Sequence, residues 1–219
     1  MIMRLFLWAS VHIRKNRKGN IMNELERLIK RYPQLVGCRE AITETYQVLE
    51  ESFRNGGKLL ICGNGGSAAD SDHIVGELMK GFKKQRPVPA DMREKLGEDL
   101  ADHLQGALPA ISLAGHAALS TAFLNDVAPD MVFAQQVYGY GNENDVLLAI
   151  TTSGNSGNVL HQVHMEVLLE QEALLSFYGR LSSQSDHSAL ASYQDKDFLP
   201  MSCQEHKIIP EKSLQYHLP

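Results

Sequence analysis

Two short polar segments contain the residue types that bind small anions. The first, residues 63–67 (Gly-Asn-Gly-Gly-Ser), follows the apolar residues 58–62. Glycines let the backbone turn sharply and approach a ligand, and a helix start presents N–H groups that lack intrahelical partners. Ser67 and Asp70 have the spacing of a capping box, which predicts that a helix begins at Ser67. The segment therefore predicts an anion site, although an ordinary glycine-rich turn has the same composition.

The second segment, residues 151–156 (Thr-Thr-Ser-Gly-Asn-Ser), also lies between an apolar run and a helix-like stretch. Its hydroxyl and amide groups donate the short hydrogen bonds that phosphate oxygens accept. The first segment lacks the spacing of the common nucleotide-binding motifs, which need a third glycine or a lysine at fixed positions. Each alone is weak evidence, but the two together at two strand ends predict a phosphate site.

His73 and Glu77 form a third candidate group. They are four residues apart in a predicted helix, so their side chains share one face. An imidazole and a carboxylate placed in this way can bind Zn²⁺. The carboxylate can instead remove a proton from a carbon next to a carbonyl group. Spacing alone favours a third interpretation, a plain helix-surface pair of little energetic weight.

The elements that carry these residues alternate between strand and helix. Short apolar runs, typical of strands buried on both faces, occupy residues 58–62, 107–115, 145–154, 173–179 and, more weakly, 206–210. Helix-like stretches occupy residues 22–56, 67–82, 92–105, 116–138 and 157–172. This alternation predicts an α/β fold with a parallel sheet covered by helices on both sides. In such sheets ligands bind beyond the carboxyl ends of the strands, where both polar segments fall.

Composition limits the functional classes. The chain has 219 residues, of which 43% are hydrophobic and 21% charged, as in one soluble globular domain. Lys and Arg number 21 and Asp and Glu 26, so the net charge is 21 − 26 = −5, which argues against direct nucleic-acid binding. Three widely spaced cysteines predict a reducing, cytoplasmic location. No apolar run reaches the roughly 18 residues that a membrane span needs.

The beginning of the chain differs from the rest. Residues 1–21 match no part of the predicted domain, and Met22 precedes a good helix start. We therefore expect residues 1–21 to be an extension that contributes little to the fold, with Met22 as the natural start. Residues 22–219 are predicted to form a single domain.

The two polar segments, with a helix after each, resemble those of the sugar isomerase (SIS) domain family. His73 and Glu77 in the segment Asp-His-Ile-Val-Gly-Glu-Leu, with Asn125 and Asp126, indicate the phosphoheptose isomerase branch of that family. The resemblance implies a three-layer, flavodoxin-like fold with a mainly parallel five-stranded sheet. It also implies a homotetramer with active sites between subunits, and a phosphorylated sugar as ligand.

The resemblance further implies a role for each site residue. The sugar phosphate would be bound by Asn64, Gly65, Gly66, Ser67, Asp126, Thr151, Thr152, Ser153, Asn155 and Ser156. Within this set Ser67, Thr151, Ser153 and Ser156 would hold the phosphate, whereas Asn64 and Asp126 would contact sugar hydroxyls. A zinc ion, where present, would be held by His73, Glu77 and Gln215. Glu77 is also the implied base of an aldose–ketose isomerisation that converts sedoheptulose 7-phosphate through an enediol.

The last residues depart from the family pattern. Gln215 and His217 are two residues apart rather than three, so they cannot share a helix face, and the family's second C-terminal His is absent. Residues 180–205 lack a clear period and exceed the family's usual connection in length. We therefore expect the chain to keep the phosphate site, to isomerise poorly and to hold zinc weakly, if at all. The alternative is a non-catalytic SIS module that binds a sugar phosphate or a protein partner, as some family members bind a replication-initiation protein.

Overall fold

A four-stranded parallel sheet forms the centre of the computed structural model, which describes residues 18–81, 85–161 and 172–177. Its strands are β1 (Leu59–Gly63), β2 (Ala110–Ser112), β3 (Val146–Thr151) and β4 (Glu172–Phe177). They lie in the order β2-β1-β3-β4, and every neighbouring pair is parallel. The predicted parallel α/β sheet is confirmed. The predicted fifth strand, at 206–210, lies outside the described residues, as do residues 180–205 and His217.

The two central strands are buried on both faces. Every residue of β1 and β3 is buried, and alternate residues of each strand enter different hydrophobic clusters. On one side Leu59 and Ile61 pack with Ile74 and Leu78. On the other side Leu60, Cys62, Leu147 and Ala149 pack with Val132, Phe133 and Val137. Because side chains alternate between the two faces of a strand, continuous apolar runs here produce the predicted three layers.

Seven helices can be given complete bounds within the described residues. They are α1 (Lys18–Arg31), α2 (Arg39–Arg54), α3 (Gly66–Met79), α4 (Ala90–Leu96), α5 (Glu98–His103), α6 (Ala117–Asp126) and α7 (Val132–Tyr140). An eighth, α8, begins after β3 and is described over residues 157–161. None of the helices in the described ranges has the length and apolar character needed to cross a membrane.

Three predicted helix boundaries need correction. Helix α1 already includes Lys18, the first described residue, so it extends further toward the amino end than the start at Met22 that the sequence predicts. The stretch 92–105 is divided into two helices at Gly97, whose φ of 79° is incompatible with a continuous helix. The stretch 116–138 is interrupted by the 3₁₀ turn Pro129–Met131. Pro129 has no N–H group to donate and disfavours a helical conformation at the residue before it, so one continuous helix is not possible.

Helices α1 and α2 share a hydrophobic cluster of their own. Leu25 and Ile29 of α1 pack with Ile42 and Tyr46 of α2. Burial raises the pKa of Tyr46, and the neighbouring Glu50 carboxylate adds to the shift, so the phenol stays neutral. This helix pair is therefore held together mainly by apolar contacts that are separate from the two clusters on the sheet.

The amino ends of β1 and β3 are joined by one buried carboxylate. Asp145 accepts hydrogen bonds from the backbone N–H groups of Lys58 and Asn142, both at 2.8 Å, and from the Lys58 ammonium group. The Asp145 side chain is 2% exposed. This contact lies next to the pair Leu59–Val146, where the β1–β3 register begins.

Candidate functional site

The carboxyl ends of β1 and β3 lie side by side. Gly63, the last residue of β1, pairs in register with Ile150, and β3 ends at the next residue, Thr151. The two polar segments therefore leave neighbouring strands at the same edge of the sheet. Their predicted placement next to one another is thus present in the structure.

The first polar segment forms a turn through its backbone. Gly65 has a φ of 56°, in the left-handed region that glycine adopts readily, and α3 begins at Gly66. The Ser67 N–H donates to the Asn64 carbonyl at 3.0 Å. The predicted capping box is wrong, because Ser67 lies in the first turn of α3 and no side chain caps this helix. Ser67 is instead buried at the start of the helix.

Gly63 allows this turn to lie against the strand. A Cβ atom at residue 63 would lie 2.6 Å from the Ser67 Cβ and 2.9 Å from the Ser67 backbone carbonyl carbon. Contacts this short do not occur between real atoms, so any side chain at residue 63 displaces the first turn of α3. Gly63 therefore sets the distance between the strand end and Ser67.

We expect Gly63→Ala to lower the free energy of unfolding by roughly 1–3 kcal/mol, since the clash resembles overpacking of a core. The same change is expected to weaken phosphate binding, because Ser67 moves. Gly76→Ala is the matched control: it lies in the same helix, and nothing stands within 4 Å of the added Cβ. That control is expected to stabilise the protein slightly. Urea unfolding and phosphate titration check both variants, and equal behaviour of the two would contradict the argument.

The second polar segment is curled by its own hydroxyl groups. The Thr151 hydroxyl accepts the Gly154 N–H at 3.2 Å and lies 3.3 Å from the Ser156 hydroxyl. The Ser153 hydroxyl accepts the Asn155 N–H, also at 3.2 Å. Thr151 is buried, whereas Thr152, Ser153 and Asn155 are exposed. The segment is thus a turn closed by its own hydrogen bonds, with one buried and several exposed polar side chains.

A pair of asparagines joins the two segments. The Asn64 and Asn158 side-chain amides donate to each other, at 2.9 and 3.0 Å. Sequence reasoning identified Asn64 and missed Asn158, which lies in the first turn of α8. No local pattern marks Asn158, because its partner is 94 positions away in the chain.

Asp130 is a second residue that sequence reasoning missed. Its carboxylate atoms lie 3.5–3.6 Å from the position that a Cβ at residue 157 would take, beside the start of α8. The Asp130 carbonyl oxygen lies 3.3 Å from His161 Nδ1. A carboxylate near a helix N-terminus is favourable, because the unpaired N–H groups there carry partial positive charge. Asp130 therefore attaches the 3₁₀ turn to the helix that follows the second polar segment.

Arg86 supports the other end of α3. Its guanidinium group donates to the carbonyl of Gly106 at 2.6 Å and to the carbonyl of Leu78 in the last turn of α3. A cation at a helix C-terminus satisfies carbonyl groups that lack intrahelical partners. Helix α3 carries Ser67, His73 and Glu77, so this contact helps to fix three candidate residues.

His73 and Glu77 lie together on α3, as the spacing predicts. His73 Nε2 is 3.4 Å from Glu77 Oε1, and the two side chains are 49% and 15% exposed. Two ligands of a tetrahedral zinc ion, at about 2.0–2.1 Å from the metal, stand about 3.3 Å apart. The pair therefore fits two positions of a zinc site. Within the described residues no group of three His, Cys, Asp or Glu side chains could hold a metal, and Gln215 lies outside them.

Asp126 stands apart from this arrangement. It ends α6, it is exposed, and its carboxylate accepts a hydrogen bond of 2.7 Å from the neighbouring Asn125 side chain. No hydrogen bond among the described residues joins Asp126 to either polar segment. Its predicted contact with the sugar stays a prediction.

The chain is similar in sequence to a known domain family and to several known proteins. The family model described as SIS domain matches residues 23–105. The chain is 35% identical over 171 residues to a phosphoheptose isomerase of Chlorobaculum parvum, covering 76% of this chain and 74% of that relative. It is 40% identical over 146 residues to a phosphoheptose isomerase of Helicobacter pylori, covering 67% of this chain. The chain spans 66% of the length of this second relative.

Solved structures show the same likeness. The structure of a phosphoheptose isomerase from Neisseria gonorrhoeae matches with a TM-score of 0.53 and 28% identity, covering 88% of this chain and 84% of that one. The structure of a phosphoheptose isomerase from Francisella tularensis matches with a TM-score of 0.50 and 27% identity, covering 85% of this chain and 90% of that one. The described sheet and its helices thus have counterparts in experimentally determined folds.

Proposed function

The chain belongs to the SIS domain family, in its phosphoheptose isomerase branch, and from this premise we propose that it binds a seven-carbon sugar phosphate and interconverts its ketose and aldose forms. The observation that carries the proposal is the meeting of two polar turns at the carboxyl ends of β1 and β3. Both turns present hydroxyl groups, and one of them opens a helix whose N–H groups favour an anion.

The phosphate group is assigned to four hydroxyls. Ser67 lies at the start of α3, and Thr151, Ser153 and Ser156 belong to the second turn. Hydroxyls and backbone N–H groups are short donors that match phosphate oxygens, and they need no net positive charge nearby. The sugar would then extend from this turn toward Asn64 and, in the proposal, Asp126.

The reaction is assigned to Glu77. Its partly buried carboxylate removes the proton from the carbon next to the carbonyl group while water gives a proton to the carbonyl oxygen, which forms the enediol. The neighbouring hydroxyl then releases its proton to water as Glu77 returns a proton to the former carbonyl carbon, so the product has the same atoms as the substrate. His73 and Glu77, with Gln215, would hold a zinc ion, which supplies polarisation of a carbonyl oxygen when it is bound. The fit of the 3.4 Å His73–Glu77 spacing to two tetrahedral ligands supports this assignment.

One incubation tests the proposal. The full 219-residue chain is mixed with sedoheptulose 7-phosphate, with and without Zn²⁺, and the aldose product is followed by NMR. Product formation above a heat-inactivated control supports the isomerase. Binding of the sugar phosphate without product supports the non-catalytic module instead. The absence of both binding and product would contradict the proposal.

We also propose that the protein is a homo-oligomer, as a tetramer, that works in the cytoplasm. Helix α6 has no buried residue, although most of its side chains are apolar. Leu119, Leu124 and the following Val127 are 38%, 46% and 67% exposed. Exposed apolar side chains of this kind are typical of a protein–protein interface, and a second copy of the chain is the proposed partner. The small, odd number of cysteines supports a reducing compartment.

The double variant Leu119→Glu/Leu124→Glu is expected to convert the oligomer to smaller species, because charged side chains in an apolar interface lose hydration without gaining partners. Val36→Glu is the control, since Val36 is 61% exposed and lies outside α6. Light scattering coupled to gel filtration measures the mass of each variant. A wild-type chain that elutes as a monomer, or a double variant of unchanged mass, would contradict the assignment.

A further inference from the structure

Asn64 and Asn158 form a reciprocal pair of amides. The Asn64 Nδ2 group donates to Asn158 Oδ1 at 2.9 Å, and Asn158 Nδ2 donates back to Asn64 Oδ1 at 3.0 Å. Each side chain thus acts as donor and acceptor at once, which fixes the plane of both amides. The two residues come from different parts of the site, one from the turn after β1 and one from α8.

The pair leaves half of each amide available. A primary amide carries two N–H donors and an oxygen that can accept twice. Asn64 donates one of its two N–H groups to Asn158 and accepts one hydrogen bond from it. One N–H group and one acceptor position of Asn64 therefore remain, and the pair sets their directions. Asn64 is exposed, and the residue after it is a glycine with positive φ, so little else in its surroundings would hold the side chain.

We propose that Asn158 is a positioning residue that orients the Asn64 carboxamide toward the sugar. This inference rests on the proposed function, in which Asn64 contacts a sugar hydroxyl. Asn158 acts through Asn64, and it makes the turn after β1 and the turn after β3 parts of one binding surface.

A purely structural role for the pair is disfavoured by its location. Asn64 is exposed and Asn158 is half-buried, so water replaces the lost hydrogen bonds when either side chain is shortened. The pair therefore contributes little to the free energy of unfolding. Its effect lies in the direction of the unused Asn64 donor and acceptor, which a freely rotating side chain would not keep.

Enzyme kinetics and binding test the inference. Asn158→Ala is expected to raise the KM for sedoheptulose 7-phosphate, or the Kd where turnover is low, by roughly three- to tenfold, the usual value of one or two hydrogen bonds. The affinity for inorganic phosphate is expected to change less than about twofold, because the hydroxyls that hold phosphate stay in place. A general disturbance of the site would weaken both ligands together.

A double-mutant cycle tests whether Asn158 acts through Asn64. If it does, Asn158→Ala has no further effect on sugar phosphate binding once Asn64 is alanine. Additive losses would show that Asn158 contacts the sugar itself, which would overturn the positioning role. Equal binding by the wild type and Asn158→Ala would also overturn it, while the proposed function would stand. A wild-type chain that binds no sugar phosphate would refute the proposed function and, with it, the positioning role.

A measurement without ligand checks the orienting contact separately. Asn64 precedes Gly65, and an unrestrained Asn-Gly pair deamidates: the glycine nitrogen attacks the side-chain carbonyl carbon, ammonia leaves, and water opens the ring to aspartate or isoaspartate. Asn158→Ala is expected to accelerate this reaction at Asn64 several-fold by peptide mass spectrometry. The pair Asn55-Gly56 is the internal control, since it lies at the end of α2. Unchanged deamidation at Asn64, or equal acceleration at both pairs, would overturn the inference.

Discussion

Replacement of Glu77 by glutamine is expected to lower the rate of isomerisation about 10²–10⁴-fold, the usual contribution of a general base. The amide keeps the size of the side chain and cannot accept a proton. Sugar phosphate binding is expected to persist, because the hydroxyl turns lie on other residues. The sharpest measurement is exchange of the substrate's carbon-bound proton with deuterium from D₂O, followed by NMR. This exchange follows proton removal directly, so it reports on Glu77 even when the later proton donation is slow.

Two comparisons separate the base from a metal ligand. Glu94→Gln is the control, since Glu94 is an exposed helical glutamate away from the site. His73→Ala removes the neighbouring donor, so it is expected to lower zinc content while leaving a carboxylate in place. If Glu77→Gln retains proton exchange at the wild-type rate, the base is another residue. If the two variants lose exchange and zinc in parallel, Glu77 acts as a ligand rather than as the base.

The second large effect concerns stability. Asp145→Ala is expected to lower the free energy of unfolding by roughly 3–5 kcal/mol, since it leaves the Lys58 ammonium and two backbone N–H groups without their acceptor. Asp102→Ala is the matched control. Asp102 also pairs with a cation, Arg93, but the two side chains are 61% and 40% exposed. Surface pairs of this kind contribute about 0–1 kcal/mol.

Urea unfolding of both variants decides the point. Asp145→Asn is expected to lower the free energy of unfolding by an intermediate amount, because it keeps the volume and one acceptor oxygen while losing the charge. Similar midpoints for Asp145→Ala and Asp102→Ala would show that the amino ends of β1 and β3 do not depend on the buried carboxylate.

The sheet could be predicted from the sequence because its strands are short apolar runs. Residues 59–62 and 146–150 are continuous and apolar, as expected of strands buried on both faces, and they form most of the central pair β1 and β3. Helix boundaries were less predictable. The break between α4 and α5 depends on the positive φ of Gly97, and the periodicity of the surrounding side chains does not predict it.

The site residues that belong to a local sequence pattern could be predicted, whereas those that depend on contacts between distant parts of the chain could not. The two turns have their own composition, and His73 and Glu77 have helical spacing, so all of these were identified. Ser67 was assigned the wrong position in its helix because the turn is closed by the backbone of a left-handed glycine rather than by a hydroxyl cap. Asn158 and Asp130 were missed, since their partners lie 94 and 31 positions away in the chain, beyond the range of any local pattern.

The order of the strands has a consequence for synthesis of the chain. β1 cannot pair with β3 until β3 has been synthesised, and Lys58 and Asp145, which precede the two strands, are 87 positions apart. At usual translation rates the ribosome needs about 4–17 s to add that length. During this interval the first turn has emerged and the second has not, so the ligand cannot assist folding. The apolar strand β1 meanwhile lacks the neighbour that covers one of its edges, and an unpaired apolar edge of this kind favours aggregation of a nascent chain.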